Sequence, residues 1–185
     1  MPGWQRFSEE NRGRGVEILS VAIDAQSSDK PRHYVEEAGT TFTTVVDQEN
    51  VLSDLYGFRA IPNGFLIDED GIVHFSALGG FDIRRSETAE VLERWLSGQG
   101  EAPVGEESTD VDSGHSEANA IFREGLELFN AGSTDEALAR WRQGLELDPD
   151  NYLIRKQIWA VENPERFYEG DVDYTWQQEQ LARGL

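Results

Sequence analysis

The chain of 185 residues has no cysteine. Its side chains therefore cannot form a disulfide bond, attack a substrate as a thiolate or bind zinc through sulfur. The three histidines, His33, His74 and His115, are far apart in the sequence, and no pair has the His-x-x-x-His spacing of a helical metal site. We expect all three at the surface or in loops. Residues 1–185 are thus predicted to hold no catalytic residue, no metal and no cofactor.

Basic residues are also few, with 16 Lys and Arg against 36 Asp and Glu and a formal net charge of −20. A surface this acidic repels nucleic acid and anionic membranes, so we expect neither as a partner. No apolar run approaches the roughly 20 residues that a membrane span needs. Residues 1–6 do not show the basic and then apolar order of a signal peptide. As written, the chain is expected to be soluble and cytoplasmic.

The apolar pattern of residues 1–97 predicts alternating strands and helices. Residues 16–24 are almost continuously apolar, which is typical of a strand buried on both faces. A second short strand is predicted at 43–46. Helices are predicted at 4–12, at 28–38 with Ser28 as N-cap, and at 86–97. A further helix is predicted after Asp47 or Asn50, either of which could cap it. Its inward-facing residues are expected to be Val51, Leu52, Leu55 and Tyr56. This alternation predicts an α/β sheet with helices on both faces.

Residues 64–76 predict a β-hairpin. An apolar run at 65–67 is followed by Asp68-Glu69-Asp70-Gly71, a turn sequence in which Gly71 supplies a positive φ, and a second apolar run starts at Ile72. Pro62 precedes the first strand, where its missing N–H does least harm to the ladder. The sequence leaves the Ile61–Pro62 bond open between cis and trans.

The order of these elements resembles the thioredoxin-like superfamily, in particular TlpA/ResA-type thiol–disulfide oxidoreductases and AhpC/TSA redoxins. The resemblance rests on residues 15–21, 56–58 and 61–71 and covers about residues 1–97. It implies thiol–disulfide or peroxide redox chemistry as the parent activity. It also implies that Pro62 matches a cis-proline beside the active-site dithiol, and that Ile61, Pro62 and Asn63 form a substrate-facing loop.

One departure from the family pattern is large. Family members have an inner strand and a Cys-x-x-Cys motif ahead of the first helix, whereas this sequence begins at Met1-Pro2. By the resemblance, that strand would lie between those at 16–23 and 64–67, so we expect two apolar sheet edges beside a gap.

Three interpretations stay open for the function. The first is a redox-inactive scaffold that acts through protein contacts, including self-association that covers the gap. The second is a truncated thiol–disulfide oxidoreductase or peroxiredoxin-like antioxidant whose Cys-x-x-Cys lies upstream of Met1, and an exported protein is expected in that case. The third is a small-molecule carrier that uses the gap.

Residues 98–116 are rich in Gly, Ser, Pro, Glu and Asp and predict an acidic flexible linker. Residues 117–163 predict a helical module with a third helix at 151–163, and Asp148-Pro149 is predicted to end the second helix and cap the next. The module resembles a single tetratricopeptide (TPR) repeat through Gly125, Leu128, Ala137, Trp141, Gly144 and Pro149. One repeat cannot form the concave groove with which repeat arrays bind peptides.

Residues 164–185 form an aromatic-rich tail that is expected to pack back on a domain. Arg155, Trp159, Arg166 and Trp176 belong to the residue types that dominate protein interfaces. They predict either an interaction surface or a buried seam between the third helix and the tail.

Overall fold

The computed structural model describes residues 1–98 and 113–184. Strands and helices alternate in the first range, and only helices follow in the second, which gives a mixed α/β architecture with small sheets. The elements are α1 (Pro2–Glu10), β1 (Leu19–Ile23), α2 (Arg32–Glu37), β2 (Thr43–Asp47), α3 (Val51–Tyr56), β3 (Gly64–Ile67), β4 (Val73–Ala77), α4 (Ser86–Leu96), α5 (Ser113–Asn130), α6 (Thr134–Leu147), α7 (Tyr152–Glu162), α8 (Glu165–Tyr168) and α9 (Tyr174–Ala182). None of these helices is both long and apolar enough to cross a membrane.

The strands form two separate two-stranded sheets. β1 and β2 are parallel, with Leu19 opposite Thr43. β3 and β4 are antiparallel, with Gly64 opposite Ala77 and an irregularity after Leu66. Across residues 1–98 and 113–184, β1 and β3 each pair with one strand, so each has a second edge without a strand neighbour.

The burial predicted for the strand at 16–24 is wrong. β1 is shorter than that range, Leu19 is 63% exposed, and the rest of the strand is only partly buried. A strand is buried on both faces when neighbouring strands and helices flank it. β1 has a strand on one edge only, and this leaves its first residues accessible to solvent.

The predicted hairpin is confirmed. The Asp68 amide donates to the Ile72 carbonyl at 3.0 Å, and the Gly71 amide donates to the Asp68 carbonyl at 3.1 Å. The Asp68 side chain accepts further hydrogen bonds from the amides of Asp70 and Ile72. Gly71 has a φ of +83°, which a residue with a β-carbon adopts only at a cost. The turn therefore forms from local chemistry that is visible in the sequence.

One helix start differs from its prediction, and the other has one of its two predicted caps. α2 begins at Arg32, directly after Pro31, and Ser28 does not cap it. The ring of a proline disfavours helical φ and ψ in the residue before it, so the helix starts after Pro31 rather than at Ser28. α3 begins after Asn50, but the carboxylate of Asp47 accepts the first amide hydrogen bonds, from Val51 at 3.0 Å and from Leu52 at 2.8 Å.

The predicted inward face of α3 is wrong at two of its four positions, since Leu52 and Tyr56 are partly buried. Val51 and Leu55 are exposed, whereas Ser53 is completely buried. α3 turns Ser53 toward α5, where it meets polar side chains instead of an apolar core. A polar contact therefore determines which side of this short helix faces inward.

The helical half is built around the pair α5 and α6. Its core consists of Ala118, Phe122, Leu126, Leu138, Trp141, Ile154 and Ile158, with Ala25 from the α/β half. The indole N–H of Trp141 donates to the Phe122 carbonyl at 2.9 Å, so the buried ring has its hydrogen-bond partner. α7 covers the pair through Ile154 and Ile158.

The boundaries of this half differ from two predictions. α5 starts at Ser113, so residues 113–116 are helical rather than part of a linker, and residues 99–112 lie outside the described residues. Asn151 caps α7 by accepting from the Ile154 amide at 3.2 Å. Asp148 therefore does not cap α7, since its carboxylate binds other partners that are described below.

The two halves share one core and are joined by hydrogen bonds. Ala25, just beyond β1, is 1% exposed and packs among the buried residues of the helical half. Its amide donates to Gln157 Oε1 at 2.9 Å, and Gln157 Nε2 donates to the Ile23 carbonyl at 3.4 Å. α7 thus holds the end of β1.

A second contact between the halves involves the tail. The Tyr168 hydroxyl donates to Asp24 Oδ2 at 2.9 Å, and Gln26 Nε2 donates to the Tyr168 oxygen at 3.0 Å. Behind this contact, Trp159 of α7, Phe167 of α8 and Trp176 of α9 pack edge to face. The tail is therefore packed against both halves.

Candidate functional site

Residues 60–62 form an exposed segment that leads into β3. Ala60, Ile61 and Pro62 are all exposed, and the Ile61–Pro62 peptide bond is cis. The Asn63 side chain closes the segment, because its Nδ2 donates to the Ala60 carbonyl at 2.8 Å and its Oδ1 accepts from the Gly79 amide at 2.8 Å. The structure thus brings the predicted residues Ile61, Pro62 and Asn63 together in one ordered loop.

Arg59 anchors the other end of this loop to the helical half. Its Nε donates to Asp148 Oδ1 at 2.7 Å, and its carbonyl accepts from the Leu153 amide at 3.2 Å. Asp148 and Leu153 flank the corner between α6 and α7. Both the side chain and the backbone of Arg59 are therefore held by the same corner.

A buried polar network lies behind Arg59. His115 is 1% exposed, and its Nδ1 lies 2.7 Å from Asp148 Oδ2. Because a carboxylate only accepts hydrogen bonds, Nδ1 carries the proton. His115 Nε2 faces the Asn119 side chain at 3.1 Å and the Ser53 carbonyl at 3.1 Å. The expectation that His115 lies at the surface or in a loop is wrong, since it joins α5 to both α3 and Asp148.

Ser53, His115 and Asp148 have the order of contacts of a catalytic triad, with Ser53 Oγ 3.3 Å from His115 Nε2. The Ser53 hydroxyl, however, donates to the Phe58 carbonyl at 2.6 Å. All three side chains are buried, so no substrate atom reaches the oxygen. The three side chains satisfy one another's hydrogen bonds and connect the α/β half to the helical half. Ser53 Oγ is therefore not a nucleophile.

The charge on Asp148 is compensated on two sides. Burial raises the pKa of its carboxyl, but hydrogen bonds and charge interactions with His115 and Arg59 outweigh burial and leave this pKa below its ordinary value of 3.8. Asn151 Nδ2 adds a contact at 3.2 Å. The ionised carboxylate is therefore the stable form at neutral pH, and Arg59 faces a fixed negative charge.

A groove of about 410 Å³ opens beside β3. Its apolar wall consists of Phe7, Val16, Phe65, Leu66, Leu92 and Trp95. Acidic residues occur in the same lining, at Glu17 and at positions 68–70. The groove lies between residues 15–17, which lead into β1, and β3.

Of the four residues predicted as an interaction surface or a seam, Trp159 and Trp176 meet between α7 and the tail, whereas Arg155 and Arg166 have their partners elsewhere. Trp159 is buried, and its ring is 5.6 Å from that of Trp176. Arg166 Nη1 donates to Asp173 at 2.7 Å, and Arg155 Nη2 donates to the Pro149 carbonyl at 2.7 Å. The aromatic pair thus holds the tail in place, and both arginines have partners within the chain.

Sequence reasoning missed Arg59, His115, Asn119 and Asp148. One signal was present: His115 and Asn119 are four residues apart and share the inward side of α5 with Ala118 and Phe122. Polar residues at helical spacing on an apolar face indicate a buried hydrogen-bonded cluster. The partners of that cluster, at positions 53 and 148, carry no local signal. No group of three metal-ligating side chains lies together within residues 1–98 and 113–184.

Comparison with known proteins finds similarity in the α/β half of the chain. Residues 1–76 match the AhpC/TSA family. The thiol–disulfide oxidoreductase ResA of Bacillus anthracis is 31% identical over 97 residues, which cover 52% of this chain and 51% of that protein. ResA of Halalkalibacterium halodurans is 31% identical over 80 residues, covering 43% of this chain and 45% of that protein.

These similarities cover part of each protein, and the chain spans about half the length of the curated relatives it matches. No solved structure matches the chain. The AhpC/TSA match lies within the range that holds both sheets and the loop at Pro62. Residues 1–76 are thus similar to the AhpC/TSA family, and the N-terminal half of the chain is similar to the ResA thiol–disulfide oxidoreductases.

Proposed function

We propose that this chain binds extended polypeptide at the loop of residues 60–62 and along the adjacent open edge of β3, and that its own residues carry out no thiol–disulfide exchange. The observation that carries the proposal is the exposed loop held at both ends, by Arg59 and by Asn63. A loop that is ordered before binding loses less entropy when a partner docks. The absence of cysteine from residues 1–185 removes the thiolate that redox exchange requires.

The partner in this proposal is a protein. An extended segment that adds to a sheet edge gains main-chain hydrogen bonds, and the apolar groove beside β3 offers pockets for alternate side chains. Acidic residues in the groove lining and the net charge of −20 favour a segment with flanking Lys or Arg. The same charge disfavours nucleic acid and anionic membranes. A strand from a second copy of this chain is the self-associating form of the proposal.

Binding is tested with S-carbamidomethylated insulin B chain, an unfolded polypeptide whose thiols are blocked without added charge, by fluorescence anisotropy. We expect saturable binding to the wild-type chain. Ile61→Asp places a charge in the loop and is expected to weaken binding at least tenfold, about 1.4 kcal/mol. Leu181→Asp is the matched control, because Leu181 in α9 is similarly exposed, at 38% against 42% for Ile61. Absence of wild-type binding, or equal losses in both variants, contradicts the proposal.

A second candidate function is thiol–disulfide exchange in a longer protein. It is favoured by the separation of the strands into two sheets and by the position of Pro62 at the head of β3. A strand bearing Cys-x-x-Cys between the two sheets would place its thiols beside the loop. The codons upstream of Met1, read in frame, test this, and an in-frame stop without that motif contradicts it. The dithiothreitol-coupled insulin-reduction assay tests the 185-residue chain itself, for which no turnover above background is expected.

The proposal also covers the repeat type of the helical half and the cellular location of the protein. We assign α5 and α6 to a single tetratricopeptide-type repeat, supported by the close approach of α5 and α6 at Gly125 and Gly144. We place residues 1–185 as they stand in the cytoplasm, and the longer protein of the second candidate outside it. Cell fractionation with an antibody against the helical half distinguishes the two locations.

A further inference from the structure

Two adjacent residues at the start of the exposed loop are tied to one histidine of the helical half. The Phe58 carbonyl accepts from Ser53 Oγ, which lies 3.3 Å from His115 Nε2. Arg59 binds Asp148, whose other carboxylate oxygen lies 2.7 Å from His115 Nδ1. The contacts thus form a closed ring that runs from residue 58 through His115 to residue 59.

The ring joins groups of unequal exposure. The Asp148 side chain is 5% exposed, whereas the Arg59 side chain is 32% exposed. A buried carboxylate needs partners at every side, and Asp148 keeps His115 and Asn151 when Arg59 is changed. Arg59, near the surface, can be solvated when Asp148 is changed. A substitution of Arg59 therefore removes the contact without leaving the buried Asp148 carboxylate unpaired.

We propose that Asp148 and His115 are positioning residues for the loop of residues 59–63, so that the helical half sets the conformation of this loop and its affinity for polypeptide. The affinity part rests on the proposed function, whereas the conformational part does not. Asp148 fixes the Arg59 side chain, and the backbone of Leu153 at the same corner fixes the Arg59 carbonyl. A displacement of the α6–α7 corner therefore moves the start of the loop with it.

The test compares two carboxylate-to-amide changes in the helical half. Asp148→Asn weakens the contact with Arg59. Glu162→Gln is the matched control, because it breaks the ion pair between Arg142 of α6 and Glu162 of α7 on an exposed surface. Backbone amide hydrogen exchange is measured in both variants at Leu153 and Gly79, whose amides donate to the Arg59 carbonyl and to the Asn63 side chain. We expect exchange there to accelerate at least tenfold in Asp148→Asn and to stay within twofold of wild type in Glu162→Gln.

A second pair of variants keeps the test decisive where Asp148→Asn destabilises the whole fold. Arg59→Ala removes the cation and Arg59→Lys keeps one, and both leave Asp148 bound to His115. Faster exchange in Arg59→Ala, partly restored in Arg59→Lys, supports the positioning role. Unchanged exchange at Leu153 and Gly79 in Arg59→Ala overturns it, whatever happens to global stability.

The affinity part is measured with the same carbamidomethylated insulin B chain. We expect Asp148→Asn and Arg59→Ala to weaken binding about tenfold and Glu162→Gln to leave it unchanged. Equal affinities in all three variants overturn the affinity part. A wild-type chain that does not bind the probe contradicts the proposed function, and exchange at Leu153 and Gly79 then decides the positioning role alone.

Discussion

A β-carbon at Gly125 would lie 2.4 Å from the indole ring of Trp141. The two residues belong to facing helices, and the ring of Trp141 is completely buried against the bare backbone of α5. Phe122 stacks on the same ring, with 5.3 Å between the ring centroids. The absence of a side chain at position 125 is thus what lets α5 and α6 enclose a tryptophan.

Gly125→Ala is expected to destabilise the protein by about 1–3 kcal/mol, the usual cost of overpacking a filled core. The added methyl has no free space, and the surrounding Phe122 and Ala137 prevent the indole from moving away. The free energy of unfolding is measured by urea titration. Glu127→Ala, on the exposed side of the same helix, is the control and is expected to stay within about 0.5 kcal/mol of wild type. A Gly125→Ala midpoint at or above wild type contradicts the expected packing.

The ionised carboxyl of Asp148 is expected to make stability depend on pH below neutrality. Its pKa in the folded chain lies below 3.8, so its contribution is fully present above about pH 4 and is lost as the pH falls through the folded pKa. The difference in unfolding free energy between wild type and Asp148→Asn should therefore shrink as the pH is lowered from 6 to 2. A difference that grows at acid pH is incompatible with a lowered pKa.

The contact between Asp24 and Tyr168 predicts an opposite trend. Burial raises the pKa of the Asp24 carboxyl, although the hydrogen bond from Tyr168 opposes it. Because this pKa is raised on folding, stability falls as the pH rises from 3.8 through the folded value. Asp24→Asn removes the titrating group, so the free energy of unfolding of that variant should decline less than that of wild type over this range. An identical decline in both proteins contradicts the raised pKa.

Tyr168→Phe removes the hydroxyl that donates to Asp24 and accepts from Gln26. The free energy of unfolding is expected to fall by about 1.5–3 kcal/mol, the range for a hydrogen bond to a charged group. Tyr174→Phe is the control, since the Tyr174 side chain is 66% exposed. The two variants are compared by thermal unfolding at neutral pH. Equal melting temperatures for both would show that the tail does not hold the end of β1 through this contact.

Gly64 of β3 lies against the ring of Phe81, and a β-carbon there would be 1.9 Å from it. Gly64→Ala is expected to displace Phe81, which also stacks on Trp4 at 5.3 Å. The near-ultraviolet circular dichroism of the chain should change, and the free energy of unfolding should fall by about 1–3 kcal/mol. Gly71→Ala, where nothing lies within 4 Å, is expected to lose stability through its positive φ while leaving that spectrum unchanged.

The parts of the fold that follow from the sequence are those formed by neighbouring residues. The turn at Asp68 to Gly71 is fixed by an aspartate that accepts amides two and four residues ahead and by one glycine. The loop of Ile61, Pro62 and Asn63 was located through its place before the hairpin and its resemblance to a known family. The turn depends on fewer than ten consecutive residues, whereas the prediction of the loop also needed the resemblance.

The polar network could not be predicted in the same way. His115 meets Ser53 across 62 positions of the sequence and Asp148 across 33. Each of these residues is of a type that usually lies at the surface, and only their mutual hydrogen bonds make burial favourable. The exposure of Leu19 was missed for the opposite reason, because an apolar strand predicts burial but does not specify the neighbours that would supply it.

The tie between Ala25 and Gln157 joins residues that are 132 positions apart. At a synthesis rate of about 5–20 residues per second, Gln157 leaves the ribosome on the order of ten seconds after Ala25. During that interval β1 is a nascent apolar strand whose end has none of its native helical partners. The helical half therefore completes the folding of a strand made long before it, and the newly made α/β half depends on protection from aggregation until α7 arrives.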